Sequence, residues 1–308
     1  MKNSVFFGNG FNRLSEGSKS WSDLLESIAD GKVINGITNT LQYEDLYLCD
    51  KIDVTKLPPS MSGYSQEYKV KYKIAKLVSD FKTNDAFEFL VNLGVDAYIT
   101  TNYDETLEMQ MKLGGWKKDW AEFDISERLY SIRRKHVYVS SKRDKKMTIW
   151  PIHGEAGYPQ SIMLGYDHYC GAIGKIDSYL KGFYEYKNKV KDLVEVESMV
   201  ERLRSNDIQI HSWIDLFFTT NVHIIGFGLD YSEQDIWWIL NKRKRYMYEN
   251  KGNIRNKIHF YGVVNESLEM LLNDFSVVVH KYSAPKSHSI KAWRKLYTEM
   301  LHDLKNNL

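Results

Sequence analysis

The sequence predicts an α/β fold, a Rossmann-like parallel sheet with helices on both faces and helical insertions. Three observations carry that expectation. Short apolar runs alternate with stretches of helical period, the order that builds parallel strands joined by crossover helices. Gly-rich turns follow several of these runs, as they do where an open sheet offers its strand ends to a ligand. A chain of 308 residues, 43% of them hydrophobic, can bury the core such a sheet needs.

Ser4 to Phe7 is the first short strand, and Gly8-Asn9-Gly10-Phe11-Asn12 follows at once. Two glycines one residue apart let the backbone turn tightly and approach a phosphate. A dinucleotide fingerprint would want another glycine where Arg13 stands, so a plain Gly-rich turn is the alternative. Ser20 and Asp23 give a capping-box pattern ahead of Trp21, Leu24, Leu25 and Ile28 on one helix face. Residues 31–70 are less periodic, hold Pro58 and Pro59, and read as a first insertion or lid. Helical period returns with Ile74, Leu77, Val78 and Phe81, then with Ala86, Phe89, Leu90 and Leu93.

Val95 to Thr101 reads as a buried strand, and Asn102-Tyr103-Asp104 stands where it hands over to a helix. Polar residues there are a candidate site; an Asn turn with an Asp104 N-cap is the alternative. Gly114-Gly115 ends that helix. Arg133-Arg134-Lys135 and the charged run from Lys142 to Lys146 flank a Val-Tyr-Val segment and read as a solvated hairpin or loop. Met147 to Ile152 is a strand ended by His153-Gly154, and Ile162 to Gly165 is a further short strand.

Residues 171–210 read as a second, charged helical insertion with an apolar stripe. Asn221 to Ile225 is a strand, followed by the turn Gly226-Phe227-Gly228-Leu229-Asp230. Ser232 can cap the next helix, with Asp235 three residues on. The helix runs into Lys242-Arg243-Lys244-Arg245, where cations complement a helix C-terminus; nucleic acid is the less favoured use. Ile258 to Val264 and Phe275 to His280 are strands, and an amphipathic helix with Ile290, Trp293, Leu296, Tyr297 and Leu301 follows.

Composition excludes several function classes. A net charge of +2 gives no whole-protein footprint for nucleic acid. Two cysteines, Cys49 and Cys170, build neither a disulfide framework nor a zinc module, so no metal is expected. No apolar run reaches the length of a membrane helix, and Met1 to Gly10 lacks a signal-peptide pattern, so a cytoplasmic protein is expected.

Four strand ends therefore carry distinctive residues: GNGFN at 8–12, TTNYD at 100–104, IHG at 152–154 and GFGLDYSEQD at 226–235. In this order they resemble the sirtuin-like superfamily, specifically the prokaryotic branch used in anti-phage defence that includes the abortive-infection H family. The resemblance implies that Gly8, Gly10, Phe11 and Asn12 form a first phosphate-binding loop for NAD, with Thr101 on the cofactor side. It implies that Asn102 holds the nicotinamide ribose or an attacking water, that Asp104 receives the carboxamide, and that His153 is the general base. Gly226, Gly228 and Asp230 would serve the adenosine side. Protein deacylases of the superfamily carry a four-cysteine zinc module that this chain cannot supply, which favours simple NAD cleavage over deacylation.

The chemistry asks for little more. The cationic nicotinamide is already a good leaving group, so the protein must hold a pyrophosphate, steady an oxocarbenium-like ribose and direct water to it. Gly turns at helix N-termini, an amide and a histidine can do this without a metal. The expected activity is hydrolysis of NAD, as substrate, to nicotinamide and ADP-ribose in an anti-phage effector. Some restraint would be needed, from a homo-oligomer or a partner sensor protein. The rival expectation is a catalytically inactive nucleotide-binding subunit that scaffolds a defence complex.

Overall fold

The first strand, β1 (Asn3–Phe7), is buried from Ser4 onward and ends in Val5, Phe6 and Phe7, because it runs between two other strands in the middle of the sheet. It belongs to a computed structural model that describes residues 2–30, 33–34, 36–53, 57–122, 127, 129–140, 145–205 and 209–308. Four helices follow: α1 (Trp21–Ile28), α2 (Asn39–Leu48), α3 (Gln66–Val78) and α4 (Asp85–Asn92). Next come β2 (Ala97–Thr100), α5 (Thr106–Leu113), β3 (Lys117–Lys118), β4 (His136–Ser140) and β5 (Lys145–Pro151). The middle of the chain holds α6 (Tyr166–Lys181), β6 (Tyr184–Lys187), β7 (Leu193–Val196), α7 (Met199–Ser205) and α8 (Trp213–Thr219). It closes with β8 (Asn221–Ile225), α9 (Gln234–Tyr248), β9 (Ile258–Gly262), α10 (Glu266–Asp274), β10 (Val277–Lys281) and α11 (Ile290–Asn306).

Eight strands form one sheet in the order β10-β9-β8-β1-β2-β5-β4-β3. From β10 to β5 every pairing is parallel, and β4 and β3 extend the β5 edge antiparallel. Read from β5 to β10, the parallel strands appear third, second, first, fourth, fifth and sixth in the chain. That is the doubly wound Rossmann-like order, and its direction reverses between β1 and β8. Phe7 pairs with both Thr100 and Ile225, and Thr100 with Pro151. Equal register makes β1, β2, β5 and β8 stop on one level. The GNGFN, TTNYD, IHG and GFGLD segments therefore leave the sheet along one edge.

Alternating side chains feed two cores, since successive strand residues point to opposite faces. Phe6, Ile99, Ile224 and Phe260 pack on one side with Trp213, Phe217 and Ile239. Val5, Phe7, Tyr98, Ile149 and Ile225 pack on the other with Phe87, Met111, Leu301 and Leu304. A third cluster joins α1, α2 and α3 through Leu25, Tyr43, Leu46 and Ile74, and takes in Tyr103 and Leu164 from the site loops.

The structure corrects three sequence expectations. Ile162 to Gly165 is not a strand; it leaves a short 3₁₀ turn, and its backbone is tied to a loop by the Met163 N–H donating to His153 O at 2.9 Å. Residues 171–210 are not wholly helical, because β6 and β7 form an antiparallel hairpin inside them. The basic cluster on α9 is used internally: Arg243 is buried and donates to the Asn256 carbonyl, and Lys242 pairs with Asp177 at 3.0 Å. The Val-Tyr-Val run is β4, hairpinned to β5, while Lys142, Arg143 and Asp144 lie outside the described residues.

Candidate active site

A cavity of about 750 Å³ opens at the sheet edge where the strand order reverses, within the usual range of about 300–1,000 Å³ for ligand sites. Gly10, Thr101, Asn102, Asp104, His153, Gly226, Gly228, Asp230 and Glu233 are among the residues that line it. Gly8, Phe11 and Asn12 are not among its lining residues. Phe11 instead packs edge-on against Phe7 and Tyr297, at ring distances of 5.9 and 5.3 Å, and anchors the first loop in the core.

Asn12 fastens the first loop to the second. Its Nδ2 donates to Asp104 Oδ2 at 2.6 Å and to Asn9 Oδ1 at 3.0 Å, and its Oδ1 accepts from the Thr106 hydroxyl at 3.1 Å. Asp104 also accepts the Thr106 backbone N–H at 3.1 Å. It thus caps the start of α5 from one residue before the N-cap position, which Glu105 holds. Burial pushes its carboxyl above the usual range, against the pull of Thr106 and Asn12.

Asn102 differs from these neighbours. It is 7% exposed, and neither its Oδ1 nor its Nδ2 has a hydrogen-bond partner among the described residues. Its backbone N–H is engaged, donating to Thr100 Oγ1 at 3.0 Å. A buried amide with open valences is costly unless something fills them.

His153, 2% exposed, sits between two carboxylates. Its Nε2 lies 2.9 Å from Asp235 Oδ2 and its Nδ1 3.8 Å from Glu233 Oε2. Burial alone would lower the imidazole pKa, but Asp235 and then Glu233 outweigh it and hold it above the ordinary value. Burial pushes Glu233 up to about 7, partly offset by the charge of His153. Gly154, after the histidine, has φ of +95°, and a Cβ there would stand 2.3 Å from the Ser161 carbonyl oxygen. Only glycine closes this turn.

These titrations make stability depend on pH. A group whose folded pKa is raised keeps protons that the unfolded chain has released, so stability falls as pH rises through it. His153, Glu233 and the buried Glu108, pushed up to about 8, all act in this direction. The stacked His223 and His259 act oppositely: burial holds both at about 4, so they cost stability only as pH falls below the ordinary histidine range. Resistance to urea is therefore expected to fall between pH about 7 and 8, where the stacked pair is mostly neutral in both states. A midpoint that stays level or rises over that interval would contradict these environments.

The glycines have separate reasons. Gly10 donates its N–H to the Gly226 carbonyl at 2.9 Å, and a Cβ on it would lie 2.0 Å from the Tyr297 hydroxyl oxygen. The first constraint on Gly10, ahead of any phosphate, is this approach of two loops and α11. Gly228 has open space where a Cβ would go.

From the sequence, Asp235 fits a helix cap, and Glu233 carries no signal of its own. Ser232 does not cap α9; Glu233 holds the N-cap position, and Asp235 is turned inward to His153. His153, Glu233 and Asp235 offer donor atoms within 4.8 Å of one another, a spacing that could hold a metal ion. Yet the two carboxylates face opposite ring nitrogens, which fits a doubly paired imidazolium better than a shared ion. Arg13, a break in the glycine pattern of the first loop, is the one Lys or Arg among the described lining residues.

A comparison with curated proteins gives no match. A family model described as a SIR2-like domain matches residues 96–202. The match runs from β2 into the first turn of α7, with Asn102 and His153, and leaves out the first loop and the 226–235 turn. It supports the sirtuin-like superfamily, whose domains bind NAD, and is compatible with NAD-related activity.

Proposed function

We propose that the chain is an NAD glycohydrolase that cleaves NAD with water to nicotinamide and ADP-ribose. Asn102 carries this reading: a buried amide, with no hydrogen-bond partner on either atom among the described residues, in the wall of a cavity it shares with His153. Unmet buried hydrogen-bonding groups cost about 1–3 kcal/mol each, which ribose hydroxyls would relieve. The nicotinamide nitrogen leaves by taking the bond's electron pair, so the protein need not protonate it. What remains is to hold the ribose and water and to accept a proton. Asn102 suits the first task, and the acid–histidine cluster the second, a contribution of about 10²–10⁴-fold in enzymes generally.

Arg13 would meet the pyrophosphate beside the first loop. Arg13→Ala is expected to weaken ADP-ribose binding about tenfold or more by calorimetry, the loss of one charge-assisted contact. Unchanged affinity would move the phosphates elsewhere.

We further infer that the enzyme is an anti-phage effector, restrained within a homo-oligomer or by a partner sensor protein. The four-motif resemblance supports this, as does the damage an unrestrained NAD hydrolase would do to its own cell. The β6–β7 hairpin and the residue before it leave Phe183, Val190 and Leu193 exposed, apolar surface that such a partner could cover. No helix among the described residues is long and apolar enough to cross a membrane.

A further inference from the structure

We propose that Glu233, on the cavity side of His153, takes the proton from the attacking water, a role that rests on the NAD-cleaving reading above. Asp235 holds the Nε2 edge of the ring from behind the cavity wall, at 2.9 Å. Glu233 lines the cavity, stands 3.8 Å from the other ring nitrogen and keeps 20% of its side chain exposed. The Tyr169 hydroxyl donates to its Oε2 at 3.2 Å and fixes the carboxylate in place.

This geometry divides the labour. With Asp235 on Nε2, a neutral imidazole turns a bare Nδ1 lone pair toward a carboxylate. One proton placed on Nδ1 removes that conflict and leaves Glu233 ionised, as the free base in the cavity. The groups that bear on it are His153 from the β5 loop, Tyr169 from α6, Asp235 from α9, Asp230 from the β8 turn and Tyr103 from the β2 loop. Its carboxyl, pushed up to about 7, is matched to proton transfer near neutral pH.

In the step, the bond from ribose C1′ to the nicotinamide nitrogen breaks and its electron pair neutralises the pyridinium. The water oxygen bonds to C1′, and a water proton passes to the Glu233 carboxylate and then to solvent. NAD and water give nicotinamide, ADP-ribose and one proton, and no oxidant or metal enters the balance.

Single-turnover cleavage by Glu233→Gln and Glu233→Asp, each with and without sodium azide, tests this. Azide is already anionic and needs no base. Glu233→Gln is expected to lose about 100-fold or more in rate while binding ADP-ribose within about threefold of the parent. Azide should raise its nicotinamide release about tenfold or more, and Glu233→Asp should keep part of the water reaction. Turnover of Glu233→Gln within about threefold of the parent would overturn the proposal, as would a loss that azide does not restore. Either result leaves the NAD reading standing, whereas a parent that releases no nicotinamide overturns both.

Discussion

Asn102→Ala is expected to lower NAD cleavage by about 10²-fold or more, the scale seen when a positioned amide is removed from a transition state. Its melting temperature should be unchanged or higher. The asparagine makes no side-chain hydrogen bond among the described residues, so truncation forfeits none and removes two unmet polar atoms. The bond that shapes the loop, from the Asn102 N–H to Thr100 Oγ1, belongs to the backbone and survives. The residue faces an open cavity, so alanine leaves no sealed void in the core. Catalytic groups often sit where the fold would be happier without them. A folded variant with near-normal turnover would remove Asn102 from the chemistry. A drop of several degrees in melting temperature would make it a structural residue instead.

Gly10→Val and Gly228→Val should separate the fold from the ligand. At Gly10 a Cβ meets the Tyr297 hydroxyl at 2.0 Å and the Gly226 carbonyl at 2.7 Å. The tyrosine belongs to α11, whose Leu296, Met300, Leu301 and Leu304 are buried, so it cannot swing away freely. The β1 and β8 loops would have to part, and a loss of about 3 kcal/mol or more is expected in urea unfolding. At Gly228 the space is open, and stability should stay within about 0.5 kcal/mol. There the new side chain projects into the cavity's boundary, and ADP-ribose affinity is expected to fall about tenfold or more. A stable Gly10→Val, or a Gly228→Val that binds normally, would contradict the placement of these loops.

The strands were legible because a parallel strand covered on both faces carries a run of consecutive apolar residues, such as Val5-Phe6-Phe7 and Ile224-Ile225. Asn221–Ile225 has the boundaries its sequence suggests, and β2 lies within the expected Val95–Thr101. The strand-end residues were legible too, since a turn after a strand must leave at the sheet edge. Partners across the chain were not. Asp235 stands three residues after Ser232, which fits a capping box. Its real partner, His153, is 82 residues away. Glu233 offered no local signal beyond an acid at a helix start. Likewise Arg243 sits in a charged run that fits cations at a helix C-terminus, and only packing places it against Asn256. The β6–β7 hairpin did leave a trace in Tyr-Glu-Tyr-Lys and Leu-Val-Glu-Val, but two strands of 4 residues between helices are easily read as helix.

The most direct measurement follows NAD incubated with the purified full chain at several protein concentrations, in water enriched in heavy oxygen, with and without EDTA. Nicotinamide and ADP-ribose should appear in equal amounts, with the heavy oxygen at the ribose C1′ and the chelator without effect. NAD that is bound but recovered intact at every concentration would contradict hydrolysis and leave the chain a nucleotide-binding subunit.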